Sequence, residues 1–246
     1  MAEPPLSDCG RIARAQDPDR FLCALFAPAE RRETLFVLAA LNHELSRARQ
    51  VASNPLIALM RITWWRETAE EAEAGRAPRR HEVAGPLHAE IAAGRILAED
   101  VAALCDAWAA EAEEGFPTLE AFRAWLRGTS GRLAVMAGRA LGAPPAALPM
   151  LEAAGGLYGL AGALAGRKAL PASEDPETLA RRLASEASGE AAQPTAALPR
   201  EALPAVLPVV LARRDLRRLS GGRDVPRPRP LGDRLAVAWA ALRGRV

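Results

Sequence analysis

Leu35, Leu38, Leu41 and Leu45 stand three and four residues apart, and no other feature constrains the chain as strongly. The spacing puts four large apolar side chains on one stripe of a helix, and such a stripe needs a second apolar surface to cover it. Similar spacing recurs along the chain. Nowhere in the 246 residues does a run of alternating Val, Ile, Thr and aromatics offer the two-residue period of a strand. Ala, Leu, Arg and Glu recur throughout, and these side chains lose little freedom in a helix. The twenty prolines stand mainly at segment edges, where they punctuate helices rather than abolish them.

Local signals place the boundaries. Asp17 with Pro18 reads as an N-cap followed by the first helical position, and Pro28 opens a longer helix running to about Val51. Asn54-Pro55 restarts the chain as a helix ended by Gly75. Leu56, Leu59, Ile62 and Thr63 are expected to form its buried stripe, with Trp64 or Trp65 at a boundary. Further helices are expected up to Gly94, from Glu99 to Glu114, and from Thr118 to Leu141 with a kink at Gly128 or Gly131. Others are expected from Ala146 to Gly166, after Pro176, from Glu201 to Leu219 and from Asp233 to Arg243. "EASGEAAQPTAALPR", residues 186–200, reads as a flexible loop of low complexity. The expectation is an all-α single domain over residues 1–246 with no internal repeat.

Net charge is only +2, but it is unevenly spread. Residues 67–120 hold thirteen acids and four arginines, a balance of −9, whereas residues 211–246 hold ten arginines and three aspartates, a balance of +7. Arginine without interleaved aromatics in a near-neutral chain argues against nucleic acid. The basic end instead points to an anionic membrane surface: Arg213, Arg214, Arg217 and Arg218 repeat at helical spacing, and Leu235, Ala238, Trp239 and Leu242 form a short apolar stripe. The alternative is that this last helix simply packs on the core. Cys9, Cys23 and Cys105 share no motif spacing, which fits a reducing cytoplasm, and "MAEPPLSDCG" carries no export signal. Ala143 to Gly166 carries one charge, Glu152, but with its alanines, glycines and three prolines it reads as a buried helix rather than a membrane span.

Candidate chemistry is sparse. His81 and His88 have no ligand-like neighbour at helical spacing. Glu67 with Glu71, and Glu111 with Glu114, sit in an acidic, alanine-rich pattern typical of solvated faces. "GGLYGLAGALAG" has neither the preceding strand nor the Lys-Ser/Thr ending of a phosphate loop. Its small residues would let two backbones approach closely, at a cost of about 1 kcal/mol of helix propensity per glycine.

"DPDRFLCALFAPAERRETLFVLAALNHELSRARQVASNPLIALMRITWWRE" resembles the opening of the squalene/phytoene synthase family. "GGLYGLAGALAGRKALP" resembles the family's second active-site helix, and "LPAVLPVVLARRDLRRL" with "RPRPLGDRLAVAWAALRGR" resembles its closing helices. The resemblance implies an isoprenoid (terpenoid) synthase-like helical bundle. Active members condense two prenyl diphosphates head to head, with Mg²⁺ held by two aspartate-rich boxes on facing helices. Departure of a diphosphate requires several units of negative charge to be neutralised.

In this chain the arginine ahead of the first box corresponds to His43, and the box falls on Ser46, Arg47 and Gln50. The second box falls on Gly159, Gly162 and Gly166. None of these is a carboxylate, and Glu44 is the sole acid in "LNHELSRARQ". The expectation is therefore a chain with no catalytic residue, metal or cofactor, in which Arg47 and Arg49 are left as candidate phosphate contacts. Within the family it resembles the branch that includes a mitochondrial complex I assembly factor. That likeness implies a complex I subunit or assembly intermediate as partner, beside the inner membrane. Two alternatives stand: a prenyl-diphosphate transferase with a rearranged site, needing Mg²⁺, or a lipid- or isoprenoid-binding protein that ionises nothing.

Overall fold

The computed structural model describes residues 5–51, 54–113, 116–166, 176–189 and 198–246, and among them there are helices and no strand. The early helices are α1 (Asp8–Gln16), α2 (Pro18–Ala24), α3 (Ala29–Val51) and α4 (Pro55–Glu73). Nothing in the periodicity announces α1, which is held by a Ser7 cap and by burying Cys9 and Ala13 against α3. The other boundaries follow local chemistry. Asp17 accepts a hydrogen bond from the Arg20 amide at 3.0 Å, with Pro18 opening α2. Asn54 accepts from the Leu56 amide at 2.8 Å to start α4. These bonds satisfy amides that a helix start leaves without partners. Gly75, at φ +69°, ends α4 in the left-handed conformation that other residues adopt only with strain.

Leu35, Leu38, Leu41 and Leu45 are all buried on α3, at roughly 1.5–3 kcal/mol of hydrophobic stabilisation each. The stripe expected on α4 is displaced. Leu56 and Thr63 are exposed and Leu59 is half-buried, whereas Ala58, Ile62, Trp65, Ala69 and Ala72 face inward. Trp65 decides this register, because its large ring is buried against the core while Trp64 stays at the boundary. Leu56, Ile57 and Met60 are left in solvent.

α5 (Ala84–Ala92), α6 (Ala98–Glu113), α7 (Leu119–Leu126) and α8 (Arg132–Ala140) follow. Between α7 and α8 the chain widens into a π-turn, Arg127–Gly131, at the glycines where a kink is expected. A Cβ on Gly128 would stand 2.7 Å from the Ala107 side chain, and one on Gly131 would stand 2.9 Å from the Glu152 carbonyl. The wide turn is thus pressed between α6 and the helix that comes next, α9 (Leu148–Gly166). α9 is long and apolar enough to cross a membrane by length and composition alone. In the fold it lies among α7, the π-turn, α8, α10 (Pro176–Gly189) and α11 (Pro208–Ser220), with Leu151, Gly155, Ala161, Ala163 and Leu164 buried.

α10 reaches Gly189, so the first residues of the loop expected at 186–200 are helical. A 3₁₀ segment begins at Arg200, and 190–197 lie outside the described residues. That segment, Arg200–Ala205, replaces the first turns of the helix expected from Glu201, and Pro204 inside it prevents α-helix from forming earlier. The last helix, α12 (Leu231–Arg243), packs on α11 through Asp233, Val237 and Ala240.

Candidate functional site

The first candidate stretch occupies the second half of α3, where Leu41, Leu45 and Ala48 point into the core. His43, Ser46 and Arg47 are half-buried beside them. Ser46 spends its hydroxyl locally, donating to the His43 carbonyl at 2.9 Å. Arg47 donates to Glu44 at 3.3 Å, so the basic group nearest the expected box is already shared with the stretch's sole acid. Burial is the largest influence on His43 and holds its pKa below the ordinary value; Glu44 and Asp17 pull it up, and Arg47 pushes it down. The side chains of Arg49 and Gln50 lie outside the described residues.

The second stretch divides into two kinds of glycine. A Cβ on Gly159 would stand 2.7 Å from both Cβ and Oγ of Ser130, and one on Gly155 would stand 2.3 Å from the Ser130 carbonyl. α9 therefore lies backbone to backbone against the π-turn, and Gly159 leaves no room for the long polar side chain of a metal box. Gly162 has nothing within 4 Å of such a Cβ, and Gly162 and Gly166 are exposed. Packing explains the first glycine, and nothing in the structure explains the other two.

Between the two helices, next to these stretches, is a cavity of about 40 Å³. Leu35, Leu38 and Ala39 of α3 face Ala154, Gly155 and Tyr158 of α9 across it. It has room for a few waters, whereas small-molecule pockets run to several hundred Å³. A larger groove of about 270 Å³ lies on the other side of α9, against α7 and α10. Leu119, Phe122, Leu157 and Leu160 line it, and Arg127 borders it together with the paired Arg123 and Glu186.

Arg20 and Tyr158 line the small cavity, and a polar network extends from them to residues that neither motif nor spacing singles out, Asp19, Asp215 and Arg229 among them. The Tyr158 hydroxyl donates to Asp17 at 3.2 Å, and the Arg20 guanidinium sits 4.5 Å above its ring and donates to Asp17 at 2.7 Å. Burial, and then Asp17 and Asp19, push the Tyr158 phenol well above its ordinary pKa, so it stays a neutral donor. Beside it Arg229 joins the ends of the chain: it donates to Asp19 at 2.7 Å and to Asp215 at 2.6 Å. Arg214 and Arg218 each reach Asp233 at 2.7 Å, and Arg227 reaches Asp19 at 2.9 Å. Asp19, Asp215, Asp233 and Arg229 are all buried. Two signals were available in the sequence: Tyr158 is the chain's one tyrosine, and three aspartates stand among ten arginines near the end.

This network narrows the expectation for the basic end: Arg214 and Arg218 spend their charge on Asp233 and Asp215, Arg213 is half-buried, and Arg217 is exposed. Other candidates are likewise engaged. Glu67 and Glu71 are bound by Arg79 at 2.9 and 2.7 Å. His81 accepts from the Val83 amide at 3.1 Å, and His88 lies 2.7 Å from the Arg76 carbonyl. The Glu111 and Glu114 side chains lie outside the described residues. Cys9 and Cys105 are buried, and burial raises each thiol to about 12, far from a reactive thiolate. Among the described residues no three His, Cys, Asp or Glu side chains gather as metal ligands would.

The model of the family described as squalene/phytoene synthase matches residues 13–166, which include α3 and α9 with both candidate stretches. The chain belongs to the squalene/phytoene synthase family. Its fold agrees: a dehydrosqualene synthase structure superposes with a TM-score of 0.72 at 11% identity, covering 96% of this chain and 94% of that one. A squalene synthase from Alicyclobacillus acidocaldarius superposes with a TM-score of 0.60 at 14% identity, covering 96% and 92%. At such identities the likeness speaks to the isoprenoid synthase fold alone. By sequence the chain is similar to NADH dehydrogenase (ubiquinone) complex I, assembly factor 6. The human protein is 38% identical over 63 residues, 26% of this chain and 19% of the relative. The Bos taurus protein is 34% identical over 70 residues, 28% and 21%. The aligned stretch spans about a fifth of those relatives' length.

Proposed function

We propose that this protein is a non-catalytic member of its family that supports assembly of respiratory complex I, working beside the inner membrane with a complex I subunit or assembly intermediate as partner. The observation that carries the reading is the pair of metal-box positions without carboxylates, His43, Ser46 and Arg47 on α3 and Gly159, Gly162 and Gly166 on α9. A diphosphate leaves only when its negative charge is neutralised, and an imidazole, a guanidinium shared with Glu44 and three glycines offer none of the carboxylates that hold Mg²⁺. The likeness to assembly factor 6 supplies the alternative task.

Two measurements test it. Purified protein incubated with farnesyl or geranylgeranyl diphosphate, with and without Mg²⁺, should release no diphosphate beside an active family member. Metal-dependent release that disappears in Arg47→Ala would restore the prenyl-diphosphate transferase reading, with a site rearranged around His43, Arg47 and Arg49. Deleting the gene should lower the amount of assembled complex I, and a normal amount would overturn the assembly role.

The groove between α7, α9 and α10 favours a second reading, in which a lipid or isoprenoid is held without being ionised. Its floor is apolar, and Arg127 stands at its border where an acidic headgroup would lie, whereas Arg123 is paired with Glu186 at 3.4 Å. Protein purified from membranes should then carry extractable lipid that Leu160→Trp excludes, without any requirement for metal. Absence of lipid from the unsubstituted protein would overturn it.

A further inference from the structure

α12 has two apolar faces, and the fold uses one of them. Val237, Ala240 and the paired Asp233 point inward. On the opposite side Leu231, Leu235, Trp239 and Leu242 are 71%, 58%, 56% and 72% exposed. At 3.6 residues per turn these four side chains occupy an arc of about 80°. Arg234 flanks the arc on one side and Arg243 on the other, both exposed. The Arg243 guanidinium lies 4.3 Å over the Trp239 ring, which brings a cation to the level of the indole. Arg245 continues the basic surface past the helix end, and Arg200 approaches Gly244 there. The one acid between Leu231 and Val246, Asp233, is wholly buried and neutralised by Arg214 and Arg218.

We infer that α12 is a docking helix that lies in the plane of an anionic bilayer, with Leu231, Leu235, Trp239 and Leu242 among the acyl chains and Arg234, Arg243 and Arg245 at the phosphates. The helix is about 20 Å long, too short to span the hydrocarbon core and suited to its surface. Charge selects this occupant over a second copy of the chain, because a two-fold pairing of the face would set arginines against arginines while α12 itself offers no carboxylate but the buried Asp233. Anionic headgroups supply the missing charge. Arg214 and Arg218, which the spacing of the sequence offers as lipid contacts, act here from inside, holding Asp233 and with it the orientation of α12.

The inference stands apart from the assembly reading, since purified protein and vesicles test it without complex I. The full chain should float with phosphatidylcholine vesicles containing phosphatidylglycerol and stay behind with phosphatidylcholine alone. Trp239 emission should shift to the blue on binding, and added salt should weaken it. Leu235→Ser/Trp239→Ser should lower partitioning by at least about tenfold. Arg243→Ala/Arg245→Ala should lower it severalfold and flatten its salt dependence. Unchanged circular dichroism and melting would show that the variants fold, as expected for side chains in solvent. Failure of the unsubstituted protein to float, or flotation of Leu235→Ser/Trp239→Ser at the original level, would overturn the inference. So would a dimer that dissociates in that variant while the unsubstituted protein ignores vesicles, because a second copy would then be the occupant.

Discussion

At the scale of single residues, Gly159 and Gly162 separate two explanations for a glycine-rich helix. A Cβ on Gly159 would meet Ser130 and Leu126, whereas one on Gly162 would meet nothing within 4 Å. Gly159→Ala should therefore cost about 1–3 kcal/mol in urea unfolding, through displacement of the π-turn. Gly162→Ala should be neutral or stabilising by up to about 1 kcal/mol, because it adds helix propensity without a clash. His43 makes a further prediction. Its folded pKa lies below that of the unfolded chain, so the unfolded state takes up the proton first and stability falls as pH drops below about 6.5. A ¹H–¹⁵N titration should place His43 below that value, and a midpoint above it would contradict the burial described for the side chain.

At the scale of elements, α4 shows where periodicity misleads. Leu56, Leu59 and Ile62 share helical spacing, but a second set, Ala58, Ile62, Trp65 and Ala69, shares it too and contains the larger ring. Periodicity cannot rank two overlapping stripes; the area buried against α6 and α3 does. Ile62→Ala should cost about 2–5 kcal/mol and Leu56→Ser less than about 0.5, measured as shifts in the urea midpoint. Equal costs would mean that the helix is rotated from the orientation described. α12 presents the same ambiguity in another form, since both of its faces are apolar and only the position of Asp233 reveals which one is buried.

At the scale of the whole molecule, Arg229 ties the beginning of the bundle to its end. Its partner Asp19 on α2 is 210 positions away in sequence, and its other partner Asp215 is on α11. Arg229→Met would remove the cation that two buried carboxylates share, leaving Asp19 to Arg227 and Asp215 to Arg218, and should lower stability by less than the roughly 3–5 kcal/mol expected for a buried carboxylate left with no partner. Asp233 adds an acid-dependent contribution. Burial alone would raise its pKa, but hydrogen bonds from Arg218 and Arg214 overcome this and hold it at about 2. Its stabilising effect is complete above the unfolded value near 4 and is lost as pH falls through about 2. The urea midpoint should drop over that window, and Asp233→Asn should make the drop shallower.

The sequence by itself determined the helical class, most of the boundaries set by caps, prolines and glycines, and the composition of the two stretches that lack carboxylates. These rest on contacts within a few residues, such as Asp17 on the Arg20 amide or Leu35 above Leu38, so periodicity and local chemistry suffice to find them. Only the tertiary structure decided that the described residues of α3 and α9 enclose a cavity of about 40 Å³. It alone showed that Gly159 is needed for packing while Gly162 is not, and that Arg214 and Arg218 of α11 turn to Asp233 while the apolar row of α12 faces solvent. Each of these depends on which distant helix lies alongside. A helix period specifies the angle between side chains on one cylinder, and carries no record of the neighbour that covers them.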